Sequence, residues 1–367
     1  MKEEPQKYEL PNLEEYIRQS EPAQRERGRI WQTAIGLQQV DGLHTSDYLL
    51  ETARQHISGD ITIRKANELI DSYYQSAQRR QKSETDDTEE ADKVSARIAE
   101  LLSEQTFTFN PTQLTAIHKH LFFGIFKFAG KIRDYNITKR EWVLNGESVY
   151  YASADVIKNT LEYDFEQERE FDYSLVDISV AIEHIARFCS NIWQIHPFGE
   201  GNTRTTAVFM IKYLRTLGFE ANNGIFADNS WFFRNALVRA NYTNVLKNIG
   251  FDTKYLVRFF RNMLLDEQNP LLNRELHVDW DAEAQPQSAI QSAKTDDFSL
   301  SKCKNCTLEE LAVLKIIKQQ PNVTQKELAV RIGKSERTVK TLTARLSEQG
   351  VLRRENGRRN GFWVLND

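Results

Sequence analysis

The residue types that phosphoryl chemistry needs occur together in one short segment of the chain, His196-Pro197-Phe198-Gly199-Glu200-Gly201-Asn202-Thr203-Arg204. One helical pattern ends just before this segment and another follows it, so we interpret it as the loop that leads into a helix. Backbone N–H groups and the positive end of the dipole at a helix N-terminus attract anions. Gly199 and Gly201 allow the backbone to approach a phosphate closely. The segment therefore predicts an anion site.

Three side chains of this segment could act on a bound phosphate. His196 is suited to act as a general base near neutral pH. Glu200 could hold a divalent cation that bridges phosphate oxygens, and Arg204 could grip a phosphate with two hydrogen bonds. Together they suit phosphoryl or nucleotidyl transfer. On residue types alone one alternative stays open, a polar corner between two helices in which a backbone carbonyl satisfies His196.

The elements around the segment are predicted to be mainly helical. Apolar residues recur at helical spacing in four stretches of the region 95–265, namely 114–126, 176–195, 205–217 and 232–264. Residues 136–151 break this pattern, because β-branched and aromatic residues there flank the pair Asn145-Gly146, a strong hairpin signal. The predicted fold class is thus mainly α, with a small β-hairpin inserted as a flap.

The signature segment closely resembles that of Fic domains, His-x-Phe-x-(Asp/Glu)-Gly-Asn-Gly-Arg-x-x-Arg, and the resemblance covers roughly residues 95–265. The upstream stretch Phe128-Ala129-Gly130-Lys131-Ile132-Arg133-Asp134-Tyr135-Asn136 is also similar to the family's approach to its flap. The family's usual reaction is the transfer of AMP from ATP to a hydroxyl group of a target protein. The resemblance therefore implies a nucleotidyltransferase that uses Mg²⁺ and ATP.

The resemblance also implies a role for each matching residue. His196 would deprotonate the target hydroxyl, Glu200 would hold Mg²⁺, and Phe198 would point into the core. The expected phosphate-binding residues are Gly199, Gly201, Asn202, Thr203 and Arg204. The flap, with Val143, Leu144, Asn145 and Gly146 at its centre, would align the target segment by strand addition.

Two positions depart from the family pattern. Thr203 replaces a glycine, which restricts the backbone and adds a hydroxyl near the expected phosphates. Ala207 stands where the family has its second arginine, which helps to hold the terminal phosphate and pairs with an inhibitory glutamate. The departures leave three interpretations open: an adenylyltransferase, a related phosphoryl transfer or removal of AMP, and a degenerate site that only senses a nucleotide.

Residues 1–75 are predicted to form a helical regulatory segment. Part of it resembles the small antitoxin-type inhibitory domain of the family, with Asp41-Gly42 in the place of the inhibitory Glu-Gly. Asp41 is one methylene shorter than glutamate, and its natural partner is absent at Ala207. We therefore expect inhibition to be weak or only steric. The alternative is that residues 1–75 simply complete the helical core.

The C-terminal part of the chain is predicted to be a linker, 266–306, followed by a winged helix-turn-helix, 307–367. The tail has 12 Lys plus Arg against 7 Asp plus Glu, a net charge of +5. The residues expected to meet DNA are Arg337 and Lys340 on the recognition helix and Arg358 and Arg359 at the wing. The same module also serves for protein docking or dimerisation, so DNA contact and a homodimer both stay open.

Composition sets the outer limits of these interpretations. The 367 residues are 40% hydrophobic and 27% charged, with a net charge of -4, which excludes a collagen, a wholly disordered chain and a uniformly basic nucleic-acid coat. No apolar run is long enough for a membrane span. The acidic N-terminus and the three cysteines, Cys189, Cys303 and Cys306, favour a cytoplasmic protein.

Overall fold

The computed structural model describes residues 21–77, 86–219, 224–280, 306–355 and 361–366. These residues form 13 α-helices and one two-stranded sheet, which confirms the mainly helical fold class. The chain divides into two compact units. One comprises Met1–Gln105 and Asn222–Ser230, and the other comprises Thr106–Ala221 and Trp231–Asp367. No helix among the described residues is long and apolar enough to cross a membrane.

The first unit is built from four helices, α1 (Pro22–Gly36), α2 (Asp47–Ser58), α3 (Ile63–Ala77) and α4 (Asp86–Ser103). A buried carboxylate ties three of them together: Asp92 of α4 accepts hydrogen bonds from the backbone N–H of Ser46, which caps α2, at 2.9 Å, and from the hydroxyl of Tyr74 in α3 at 2.6 Å. A 3-10 helix, Leu37–Asp41, follows α1 and ends in the left-handed Gly42.

The second unit contains the helices that carry the signature segment. They are α5 (Pro111–Phe122), α6 (Ile157–Glu170), α7 (Ile178–Ile195), α8 (Asn202–Thr216), α9 (Ile225–Asn241, whose first turn belongs to the first unit) and α10 (Lys254–Leu265). An aromatic cluster fills the space between α6, α7 and α8. The ring of Phe109 lies 4.9 Å from that of Phe165 and 4.6 Å from that of Tyr213.

The flap differs from the predicted hairpin. No strand forms at residues 136–151; a 3-10 helix, Trp142–Leu144, takes its place. Val143 and Leu144 are adjacent in sequence and both fully buried, a pattern that an alternating strand cannot produce. The turn at Asn145-Gly146 does form, with left-handed φ values of 56° and 83°. The turn was therefore predicted correctly, whereas the strands on either side of it were not.

Part of the predicted linker is folded. Residues 266–280 contain a 3-10 helix, Asn273–Leu276, in which Leu276 is fully buried. The backbone carbonyl of Glu275 accepts a hydrogen bond from the hydroxyl of Tyr255 in α10 at 2.6 Å. The backbone N–H of Val278 donates to the carbonyl of Val143 in the flap at 2.9 Å. This stretch thus supports the flap. Residues 281–305 of the predicted linker, with Cys303, lie outside the described residues, and Cys306 is fully buried.

The C-terminal tail has the predicted order of elements, α11 (Leu308–Gln319), α12 (Gln325–Arg331), α13 (Glu336–Glu348), β1 (Leu352–Glu355) and β2 (Phe362–Leu365). The strands are antiparallel, with Leu352 opposite Leu365. Side chains cap two of the helices: Thr324 accepts from the N–H of Glu327, and Ser335 accepts from the N–H of Thr338. These elements form a winged helix-turn-helix.

Helix α11 packs against the rest of the second unit as well as within the winged helix. It contacts α7 and the 3-10 helix Tyr173–Leu175. A Cβ atom at Gly218, just after α8, would lie 3.1 Å from that of Ala312. The ammonium of Lys315 donates to the carbonyl of Met263 in α10 at 3.3 Å. The winged helix is therefore attached to the helical core by a buried face of α11.

Candidate active site

The signature segment forms a tight loop between α7 and α8. His196 ends α7 with a left-handed φ of 50°, and Gly201 caps α8 with a φ of 77°. The side chain of Asn202 braces the loop from inside. Its amide oxygen accepts from the N–H of Phe198 at 3.0 Å, and its amide nitrogen donates to the carbonyl of the same residue at 2.8 Å. The side chain of Asn202 therefore sets the shape of the loop, and its contact with phosphate stays a prediction.

Both glycines of the loop have close neighbours where a side chain would begin. A Cβ atom at Gly201 would lie 2.3 Å from the ring of Phe122 in α5. A Cβ atom at Gly199 would lie 2.7 Å from the hydroxyl of Tyr135. The backbone therefore forms the surface of the loop, directly in front of the N-terminus of α8. This arrangement leaves the loop amides as the natural anion donors.

His118 in α5 supports the loop from below. Its Nδ1 accepts from the N–H of Gly130 at 2.8 Å, so Nε2 carries the proton and donates to the carbonyl of Glu200 at 3.0 Å. The ring stacks on Phe198 with a centroid distance of 3.7 Å. Burial lowers the pKa of His118 to about 4, so the ring is neutral at pH 7. Phe198 points into the core as expected, and His118 was missed.

His196 is held in the tautomer that a general base requires. Its Nδ1 lies 3.2 Å from the carbonyl of Trp193, and a carbonyl can only accept, so Nδ1 carries the proton and Nε2 keeps its lone pair. Burial, followed by the positive charge of Lys139, places the pKa of His196 well below its ordinary value. His196 as a residue is 3% exposed, and the ring of Tyr151 lies 4.3 Å from its imidazole. The imidazole is therefore neutral at pH 7 and covered by the flap.

Arg133 connects the end of α7 to the flap. Its guanidinium donates to the carbonyl of His196 at 2.7 Å, to that of Ile195 at 3.2 Å, to that of Tyr135 at 2.6 Å and to that of Ala152. Two of these carbonyls form the negative end of the α7 dipole, which a cation stabilises. Arg133 belongs to the stretch that resembles the family, but its function as a clamp was not predicted.

Glu200, the predicted metal ligand, projects from the loop with its carboxylate 55% exposed. The ammonium of Lys139 lies 2.9 Å from its Oε2 and shows that the carboxylate accepts a cation here. Among the described residues no group of three acidic, histidine or cysteine side chains could hold a metal ion. A single carboxylate still fits Mg²⁺, which binds through one or two carboxylates together with substrate phosphates.

The residues that depart from the family pattern lie inside α8. The hydroxyl of Thr203 accepts from the indole N–H of Trp193 at 3.0 Å, so it is engaged by the core, although sequence analysis placed it near the phosphates. The guanidinium of Arg204 lies 4.8 Å from the ring centroid of Phe122 and is 1% exposed. Ala207 is fully buried. Of the two cationic positions in the signature, only Arg204 is retained.

The remaining predicted residues are distributed over three places. Asn145 and Gly146 are exposed at the flap tip, while Val143 and Leu144 are buried beneath it. Asp41 is exposed at the end of a 3-10 helix in the first unit. On α13, Arg337 and Lys340 are exposed, and Lys340 pairs with Glu336 at 2.9 Å. Arg358 and Arg359 lie outside the described residues.

Two segments of the chain match models of known protein families. Residues 108–214 match the model of the Fic/DOC family, and residues 310–353 match that of the winged helix-turn-helix DNA-binding family. Among solved structures, a Fic family protein from Desulfovibrio desulfuricans G20 is similar, with 14% identity, a TM-score of 0.43, and coverage of 96% of this chain and 90% of that one. No curated protein sequence matches. Residues 108–214 are thus similar to the Fic/DOC family, and residues 310–353 are similar to winged helix-turn-helix proteins.

Proposed function

We propose that the chain is a protein adenylyltransferase that moves AMP from ATP to a hydroxyl side chain of a target protein. The observation that carries this proposal is the state of His196, a neutral imidazole with its Nδ1 proton engaged, beside a glycine loop that opens a helix. A neutral Nε2 can accept a proton at pH 7. Because the ring is covered by Tyr151, the flap must shift before a hydroxyl can reach it.

The proposed step balances as a substitution at the α-phosphorus. Nε2 of His196 takes the proton of the target hydroxyl, whose oxygen forms a bond to the α-phosphorus while the bond to the bridging oxygen of pyrophosphate breaks. The loop amides hold the phosphates, and the guanidinium of Arg204 beneath the loop adds positive charge. Glu200 would hold Mg²⁺, which supplies positive charge to the phosphate oxygens as pyrophosphate leaves. Lys139 would then no longer be the cation on that carboxylate.

Mass spectrometry of the full-length protein tests this proposal directly. The protein is incubated with Mg²⁺ and each nucleoside triphosphate in turn, alone and with a cell extract as the source of target. We expect one nucleoside monophosphate to be added, and the adduct to be lost in His196→Ala but kept in His120→Ala, a matched change on α5. An added phosphate alone would indicate phosphoryl transfer instead. No adduct under any condition would overturn the proposal.

Inhibition by the N-terminal segment is proposed to be weak. In this chain the acidic residue of the inhibitory pattern is the short Asp41, and α8 has Ala207 where the pattern needs an arginine. We therefore expect Asp41→Gly to raise self-modification less than about threefold, since the arginine that pairs with the inhibitory residue in the family pattern is replaced by Ala207. The rate of adduct formation measures this effect, and an increase of tenfold or more would contradict it.

A second candidate function is a DNA-binding regulator whose site senses a nucleotide. The match of residues 310–353 to a DNA-binding winged helix and the exposed Arg337 and Lys340 on α13 support it. Anisotropy of a labelled mixed-sequence duplex tests DNA contact at two salt concentrations. Binding that weakens with salt and with Arg337→Ala would support this function. A protein that binds no duplex at low salt would speak against it.

A further inference from the structure

Lys139 occupies a position in the flap that directs its side chain at the signature loop. Its backbone N–H donates to the hydroxyl of Ser148 across the flap at 3.3 Å. Its ammonium reaches the carboxylate of Glu200 at 2.9 Å, and the lysine side chain is 28% exposed. The same positive charge acts on His196. The ammonium is thus close to both the proposed base and the proposed metal ligand.

Three other cations lie near His196 or the loop, and each is engaged elsewhere. Arg234 pairs with Glu141 at 2.9 Å. The guanidinium of Arg133 donates hydrogen bonds to four backbone carbonyls. Arg133 as a residue is 4% exposed. Arg204 lies beneath the loop with its guanidinium over the ring of Phe122. The first turns of α8 offer no other cation, because the residues after Arg204 are Thr205, Thr206 and Ala207. Lys139 is the cation that the flap places on the exposed carboxylate of the loop.

The ion pair between Lys139 and Glu200 is one that a ligand can exchange. Glu200 is more than half exposed, and exposed ion pairs contribute little stability. A divalent cation on Glu200 would displace the ammonium by competition for the same oxygen and by repulsion. The displaced ammonium would remain close to the proposed phosphate site, because the lysine side chain is flexible. A lysine binds phosphate as a compact point charge.

We propose that Lys139 is a phosphate-binding residue of this site. Without a nucleotide its ammonium pairs with Glu200. When a metal-bound nucleotide binds, the metal replaces the ammonium on Glu200, and the ammonium contacts the phosphates. The inference rests on the proposed function, because it requires a nucleoside triphosphate as ligand. Lys139 would add a contact from the flap to the contacts that the loop makes with the phosphates. Nucleotide binding and the position of the flap would then be coupled through this one side chain.

Calorimetric titration with α,β-methylene-ATP and Mg²⁺ tests the inference on the full chain, because this analogue cannot transfer AMP. Three variants are compared with the native protein. Lys139→Met removes the ammonium while keeping the length of the side chain, and Lys139→Arg keeps the charge. Arg140→Met removes the same charge from the next residue of the flap, which is exposed. If the flap attracts the nucleotide only through its overall positive charge, both methionine variants would weaken binding equally.

We expect Lys139→Met to weaken binding of the analogue by about tenfold, the loss of one charge-assisted hydrogen bond. We expect Arg140→Met to weaken it less than twofold and Lys139→Arg to restore it to within about threefold. Equal losses in Lys139→Met and Arg140→Met, or none in either, would overturn the inference while leaving the proposed function intact. A native protein that does not bind the analogue would overturn both.

Discussion

Arg133 carries a buried positive charge whose recorded partners are all backbone carbonyls. The guanidinium holds the carbonyls of Ile195 and His196, and with them the end of the helix that presents the proposed base. Removing it would leave these buried acceptors without donors, which costs a substantial part of the stability of a domain. The position of His196 therefore depends on a residue that does not touch the substrate.

We expect Arg133→Met to lower the free energy of unfolding by about 3 kcal/mol and to abolish adduct formation. Arg133→Lys keeps the charge but has one ammonium in place of a planar fork, so we expect it to be intermediate. Urea unfolding followed by circular dichroism measures both variants. Native stability in the methionine variant would show that the carbonyls find other donors.

His118 predicts a pH dependence of stability. Its pKa is about 4 in the folded protein and near 6.5 when unfolded, so the unfolded chain binds more protons between these values. The stability linked to the neutral ring is therefore complete above pH 6.5 and is lost as the pH falls towards 4. The maximum contribution is roughly 3 kcal/mol.

Urea unfolding of the native protein and of His118→Gln at pH 7.5 and at pH 5 tests this dependence. Glutamine can still donate to the carbonyl of Glu200 but does not titrate in this range. We expect the native protein to lose more stability than the variant on acidification. Parallel losses in the two proteins would contradict the assignment of a neutral, buried ring.

At the scale of elements, the loop depends on close approach between α5 and the N-terminus of α8. We expect Gly201→Ala to lower the free energy of unfolding by about 3 kcal/mol or more, because the new methyl group would overlap the ring of Phe122 and the residue has a left-handed φ. Gly124→Ala is the matched control, with a similar φ of 74° and nothing within 4 Å. It should cost only about 1 kcal/mol. Equal costs in thermal or urea unfolding would show that packing against Phe122 is not decisive.

Elements with local signals were predictable from the sequence. Thr324 and Ser335 cap their helices because a hydroxyl followed three residues later by an available N–H is a local arrangement. The turn at Asn145-Gly146 is equally local. The strands predicted beside it did not form, because burial of Val143 and Leu144 beneath the flap is decided by segments distant in the chain, including residue 278.

In the site, too, local features were predictable from the sequence and contacts between distant segments were not. Its signature residues are contiguous, so their spacing alone indicated a loop that leads into a helix. His118 and Arg133 lie 82 and 63 residues from the loop carbonyls that they bind. Every residue has a backbone carbonyl, so a side chain that binds one leaves no pattern of residue types in the sequence. The engagement of the Thr203 hydroxyl by Trp193 was missed for a related reason, since it depends on how α7 and α8 cross.

On the scale of the second unit, α11 has buried faces towards both the helical core and the winged helix. Leu311, Ala312, Val313 and Leu314 are each at most 1% exposed, so four consecutive residues, facing all directions of the helix, are covered. A solvent-exposed tail on a linker would leave one face open. The core and the tail are therefore expected to stabilise each other.

Ala312→Leu would test this mutual stabilisation. The larger side chain overpacks the contact near Gly218, and we expect a loss of about 2 kcal/mol. Hydrogen exchange should accelerate both in the winged helix and in α7. Ala344→Leu on the exposed face of α13 is the control and should leave exchange unchanged. Faster exchange confined to the winged helix would show that the tail folds independently.

The covered faces of α11 also bear on how such a chain can be assembled during evolution. A tail that touches its neighbour only through a linker can be exchanged between proteins by recombination at the linker. Here a winged helix transferred to another protein would expose the apolar face of α11. The protein that lost it would expose the part of the helical core that α11 covers. Inheritance of the tail is therefore tied to inheritance of Gly218, Met263 and their surroundings, and the two modules are expected to diverge as one.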